Sequence, residues 1–110
     1  MNINNMINDI LFEIRTPIGF SVHTTKDYWK FIVSFKHPVM EDKLEDVKEL
    51  LMDPEEIRQS KNDKTVYLFY KLEDPGRWLC AVVKKLNGDG FLITTYPVDK
   101  IKEGEVIWNR

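Results

Sequence analysis

A single cysteine, Cys80, stands among 110 residues, so no disulfide can form within the chain, and the sequence suits a reducing, cytoplasmic setting. Histidine is almost as scarce. Neither His23 nor His37 has a partner at the spacing of a zinc site, so no metal is expected, and without a glycine-rich phosphate loop or a nucleophile elbow no cofactor is expected either. No apolar run approaches the roughly 20 residues that cross a bilayer, and Met1 to Asn8 lack the basic start and apolar stretch of a secretory signal, so no membrane contact is expected. A basic excess is also missing. The net charge is −2, whereas nucleic-acid binders gain much of their affinity by neutralising phosphates. The distribution is uneven: residues 1–60 carry 7 Lys/Arg against 11 Asp/Glu, and residues 61–110 carry 9 against 7. A polyanion would therefore approach the second half.

What the chain has in quantity is β-forming sequence. Thr65 to Tyr70, Trp78 to Lys84 and Phe91 to Tyr96 are β-branched or aromatic runs. Glu73-Asp74-Pro75-Gly76 and Asn87-Gly88-Asp89-Gly90 separate them as turn formers. They predict a three-stranded antiparallel meander, with helices encoded earlier in the chain covering so apolar a sheet. Ahead of it, Ile10 to Ile14 and Phe20 to His23 read as a hairpin closed by Thr16-Pro17-Ile18-Gly19. Thr24-Thr25-Lys26-Asp27 resembles a capping box, and Tyr28, Phe31, Ile32 and Phe35 repeat at helical spacing, predicting a helix from about Lys26 to Lys36. A second helix is predicted from about Glu41 to Met52, with its acidic face in water. Asp53-Pro54-Glu55-Glu56 reads as a fresh helical start ending by Ser60. A short strand, Glu105 to Trp108, closes the chain. The fold class is α+β, N-terminal strands and two helices packed on an antiparallel meander, in one domain whose asparagine-rich residues 1–8 are expected to be disordered.

Lys36-His37-Pro38 is the short stretch richest in chemistry. Pro38 disfavours helical geometry at His37, which places the imidazole just past a helix C-terminus. There the helix field favours its charge and Lys36 opposes it, a balance that suits proton transfer near neutrality. The plainer role is a C-cap on the last carbonyls. His23 reads as a solvent-facing strand residue. Trp29, Trp78, Trp108, Tyr67 and Tyr70 are of a type that stacks bases, although core packing accounts for most aromatics in so small a chain. Thr94, Tyr96, Lys84 and Lys85 lie near the free ends of the central hairpin, and register decides which lysine joins them. Opposing Leu86 to Phe91 puts Lys85 on the Thr94 and Tyr96 face; opposing it to Gly90 puts Lys84 there. Either lysine has the alternative role of an edge residue that keeps the hairpin soluble.

Taken in order, Lys36 to Met40, Asp53 to Ser60, Val66 to Tyr70, Val82 to Lys84, Gly90 to Tyr96 and Ile101 to Trp108 resemble the barnase–EndoU–colicin–RelE superfamily of metal-independent ribonucleases, in its phage- and toxin-associated branches. The resemblance covers roughly residues 36–108. It implies a RelE-like fold and cleavage of RNA by attack of the ribose 2′-hydroxyl on the adjacent phosphorus, with an antitoxin or other protein as partner. Carried over, His37 is the proton-transfer group. Lys84 and Arg58 stabilise the phosphate, with Lys85 as the register-dependent alternative to Lys84. Ser60, Thr94 and Tyr96 hydrogen-bond phosphate or ribose. The alternatives are a non-catalytic module of the same fold that binds a protein or small ligand on its sheet face, and a partner-neutralising protein using the acidic helix.

Overall fold

Strand pairing dominates the computed structural model, which describes residues 9–110; the disorder expected of residues 1–8 lies outside them. The meander forms as its turn residues predict: β4 (Val66–Asp74), β5 (Arg77–Leu86) and β6 (Asp89–Val98) pair antiparallel in sequence order. Around it the sheet grows to seven strands, β1-β2-β6-β5-β4-β3-β7. The N-terminal hairpin, β1 (Ile10–Arg15) and β2 (Ser21–Thr25), lies on one side. On the other lie β3 (Glu56–Gln59) and β7 (Glu105–Asn109). With two helices on the sheet, the class is α+β, as expected.

β2 runs directly into helix α1 (Lys26–Phe31), where the Tyr28 N–H donates to the Thr25 hydroxyl at 3.1 Å, the cap the sequence signals. The helix then widens into a π-turn over Ile32–Lys36, closed by His37 N–H donating to the Ile32 carbonyl at 2.8 Å. Pro38 opens a separate 3₁₀ turn, Pro38–Met40. Turn hydrogen bonds then carry the chain through Lys43, Glu41 N–H donating to the Pro38 carbonyl at 3.1 Å and Lys43 N–H to the Met40 carbonyl at 3.0 Å, so α2 spans Leu44–Met52 rather than starting at Glu41.

The largest departure is β3. Asp53 to Ser60 is not a fresh helical turn, because Ile57 is fully buried between strands, facing Phe69 on β4 and Trp108 on β7. Two ladders satisfy the backbone that a helix would satisfy internally, and this pairing outweighs a local capping signal. The Asp53 carboxylate accepts from the Arg110 guanidinium instead.

The helices cover one face of the sheet. Trp29, Ile32, Val47, Leu50 and Leu51 pack there with Ile57, Phe69, Ala81, Val83 and Leu92. The expected full cover does not extend to the other face. It carries a smaller cluster, Leu68, Tyr70 and Cys80, with Trp78, Val82, Tyr96, Val98 and Ile101 around it.

The β5–β6 hairpin settles the register by a route neither expectation contains. Its loop is only Asn87-Gly88, both at positive φ (53° and 83°), so Leu86 opposes Asp89. A bulge then leaves Ile93 unpaired: Val83 opposes Leu92, but Val82 opposes Thr94. Beyond it, the strands pair as the Leu86–Gly90 register would have paired them, and Lys84 shares its face with Thr94 and Tyr96. Val83→Asp should destabilise the protein by about 3–5 kcal/mol, because the carboxylate enters the fully buried helix-side core unpaired. Denaturant unfolding checks this, and an unchanged midpoint would show that the meander is not the core.

Candidate functional site

The residues of the helix-free face form rows across the strands. Arg58, Leu68, Val82 and Thr94 stand in one row, and Glu56, Tyr70, Cys80 and Tyr96 in the next. Lys84 lies one pleat from Val82 in the opposite direction, opposite Val66, whose carbonyl accepts from Ser60 N–H at 2.9 Å. His37 completes the second row from outside the sheet. Its ring centroid is 5.1 Å from that of Tyr96, and its side chain makes no capping hydrogen bond. The π-turn and Pro38 bring it there, past the short β2–β6 pairing, where the edge of β6 is no longer covered by β2.

His37 and Tyr96 therefore come together, with Thr94 one pleat away, whereas Lys84 shares the face but stands four residues along β5 from the Cys80–Tyr96 row, roughly 13 Å at the usual strand rise. Arg58 shares the face but not the locality. With strands about 4.8 Å apart, three spacings put its backbone roughly 14 Å from Thr94. Ser60 is spent on its turn, its hydroxyl accepting from Asn62 and Asp63 N–H at 3.2 and 3.3 Å. Lys85 points to the opposite face, its ammonium 5.1 Å from the centre of the Phe20 ring, and does not join the set.

Tyr70 and Tyr96 also line an open cavity of about 390 Å³, together with Val98, Asp99, Lys100, Lys102 and Glu103. No motif in the sequence marks these last four. Their approach depends on how residues 99–104 fold back after β6, which no local pattern encodes. The buried thiol of Cys80 lies in the same row, opposite Tyr70 on one side and Tyr96 on the other. Burial pushes the thiol up to about 12. Burial, with Cys80 second, also raises both tyrosine hydroxyls, so they stay protonated and act as donors.

The cations on this face are held by acids. Arg58 Nε is 2.5 Å from Glu56 and Lys84 Nζ is 3.1 Å from Asp63. Asp63 is fixed in turn by the hydroxyl and N–H of Thr65, which with Lys84 hold its carboxyl down at about 2. Glu56, Asp63, Asp99 and Glu103 thus stand against Arg58, Lys84, Lys100 and Lys102, and the face is balanced in charge rather than basic. The Thr94 hydroxyl is buried and has no partner among the described residues.

Comparison with family models, curated proteins and solved structures returned no match.

Two outcomes follow from these environments. The Cys80 thiol should resist alkylation in the native protein at mildly alkaline pH and react fully in denaturant, as mass spectrometry would record; rapid native labelling would contradict its burial. Because the Asp63 carboxyl titrates lower folded than unfolded, its contribution to stability is complete above about 3.8 and is lost as pH falls towards about 2. Asp63→Asn should therefore flatten the fall in melting temperature across that interval.

Proposed function

We propose that this protein is a metal-independent endoribonuclease whose centre is His37, in the toxin-like manner that the resemblance of residues 36–108 implies. One observation carries the reading: the His37 backbone closes the π-turn but its side chain makes no capping hydrogen bond, and its ring lies against Tyr96 on the face that holds Thr94 and Lys84. In this reading the imidazole accepts the ribose 2′-hydroxyl proton. The freed oxygen attacks the neighbouring phosphorus, the bond to the 5′-oxygen breaks as that oxygen takes a proton from water, and a cyclic phosphate and a 5′-hydroxyl result. The Tyr96 hydroxyl, protonated and at the open cavity, supplies a hydrogen bond to a phosphate oxygen, and Lys84 a positive charge further along the same face. Lys100 and Lys102, at the cavity beside Tyr96, replace the distant Arg58 as further cations towards the RNA backbone. The cavity, about 390 Å³, falls within the roughly 300–1,000 Å³ of small-ligand sites and accommodates a nucleotide. An antitoxin-like protein covering this face would silence it.

A second reading is favoured by the ion pairs. If Asp63 and Glu56 keep Lys84 and Arg58 permanently engaged, the face binds a ligand or protein without cutting RNA. The test is purified protein with total RNA in chelator, with and without ribosomes, beside His37→Ala. Ribonuclease action gives cyclic-phosphate ends, and the variant should lose about 10²- to 10⁴-fold in rate, the usual worth of a general acid–base group. Cutting that survives His37→Ala would remove His37 from the mechanism. No cutting by the unmodified protein under either condition selects the binding module.

A further inference from the structure

Phe35 is the most exposed large apolar side chain among the described residues, 78% open to solvent in the π-turn Ile32–Lys36. A ring left in water forfeits the stabilisation that burial would bring, so the fold gains little from it. Phe35 ends a row of three aromatic rings. Its centroid lies 5.6 Å from that of Phe31, and Phe31 lies 5.8 Å from Tyr28, the pairs tilted by 39° and 42°. The Tyr28 hydroxyl donates to the Ile93 carbonyl at 2.8 Å, which anchors the row at the edge of β6. The tryptophans and tyrosines whose type suits base stacking are otherwise engaged: Trp29 and Tyr70 are buried, and Tyr67, Trp78 and Trp108 pack against the two clusters of the sheet. Phe35 offers the open ring that they do not.

The element that carries this ring is cationic. Lys26, Lys30 and Lys36 are exposed on α1 and the π-turn with Asp27 as the single acid among them, whereas Glu41 to Met52 carries five acids against Lys43 and Lys48. Lys36 Nζ lies 5.6 Å from the centre of the Phe31 ring, beside the open one. In a protein of net charge −2, Phe35 thus stands in a local excess of positive charge. An open aromatic face beside ammonium groups matches a single-stranded nucleic acid, whose phosphates meet the lysines and whose unstacked bases meet the ring. A duplex keeps its base faces within its own stack. Phe35 also stands two residues before His37, an α-carbon separation of at most about 7.6 Å, and the His37 ring lies against Tyr96. A base on Phe35 therefore belongs to a nucleotide beside the phosphate that His37 would address.

We propose that Phe35 is a stacking platform for one base of a single-stranded RNA, with Phe31 behind it and Lys36 placed for an adjoining phosphate. The inference deepens the ribonuclease reading, on which it rests for the place of the nucleotide beside His37, and it restricts the substrate to single strands.

The probe is a fluorescent 2′-O-methyl oligoribonucleotide of mixed sequence, which cannot be cut by 2′-hydroxyl attack, and its anisotropy with the full chain at low salt reads binding. Phe35→Ala and Phe35→Leu should each weaken binding by roughly five- to hundredfold, the worth of one stacked base, without lowering the melting temperature, while Phe35→Trp keeps it. Lys36→Gln should lower the salt slope by about 0.7, the share of one phosphate contact on a single strand. The same sequence as a duplex should bind more weakly and without dependence on Phe35. Equal binding by the Ala, Leu and Trp variants, or no binding by the unmodified protein, would overturn the platform. Sedimentation showing a dimer that Phe35→Ala dissolves, with no oligonucleotide bound, would overturn it in favour of a second copy of the chain. RNA cutting is assayed separately, so the two readings fail apart: binding that depends on Phe35 without any cutting upholds the platform and removes the ribonuclease, and cutting with binding indifferent to Phe35 does the reverse.

Discussion

One unpaired residue, Ile93, determines what the helix-free face contains. A two-residue hairpin loop fixes Leu86 against Asp89, and without a bulge that register would carry through the whole ladder, setting Thr94 and Tyr96 on the helix side, away from Cys80 and Lys84. The bulge shifts the pairing by one, so that Thr94 faces Val82 and Tyr96 faces Cys80. The buried helix side receives Thr95 instead, bonded to the Cys80 carbonyl. The free carbonyl of Ile93 is taken by the Tyr28 hydroxyl, which ties the start of α1 to the same point. Site, core and helix anchor all refer to this position.

The face so built is polar without being basic. Carboxylates are placed beside its cations, Glu56 by Arg58 and Asp63 by Lys84, and each pair is partly open to solvent, where an ion pair contributes little to stability. Their effect is on the potential that an approaching polyanion meets. Salt or a competing anion changes such a face less than it would a lysine-rich one, because the pairs already cancel at close range.

Much of the fold was legible because it rests on local chemistry. Asn87-Gly88 makes its turn through positive φ, Thr25 caps α1 as its side chain predicts, and the strand runs of the meander are hydrophobic on both faces. What local reading missed depends on distant partners. Asp53-Pro54-Glu55-Glu56 carries a good helix start, yet Ile57 belongs between Phe69 and Trp108, and nothing within Asp53 to Ser60 refers to either. In the candidate site, the pairing of His37 with Tyr96 was anticipated only as membership of one set. That Lys84 and not Lys85 joins it turned on the bulge, and a period-2 pattern cannot announce an inserted residue when both faces are apolar. Lys100, Lys102 and Glu103 were passed over for the same reason as β3: their place is set by the return of the chain to β7.

The π-turn at Ile32–Lys36 has a consequence for direction. An α-helix advances about 100° about its axis per residue, and a turn closed five residues back takes in one residue more than an α-helical turn. Everything after it is rotated in phase by roughly that angle, and Pro38 prevents the helix from continuing far enough to absorb the change. The heading of the His37 side chain is thus a matter of angular bookkeeping along the preceding helix, and a single residue added to or removed from α1 would re-aim the imidazole without altering any group on the sheet it faces.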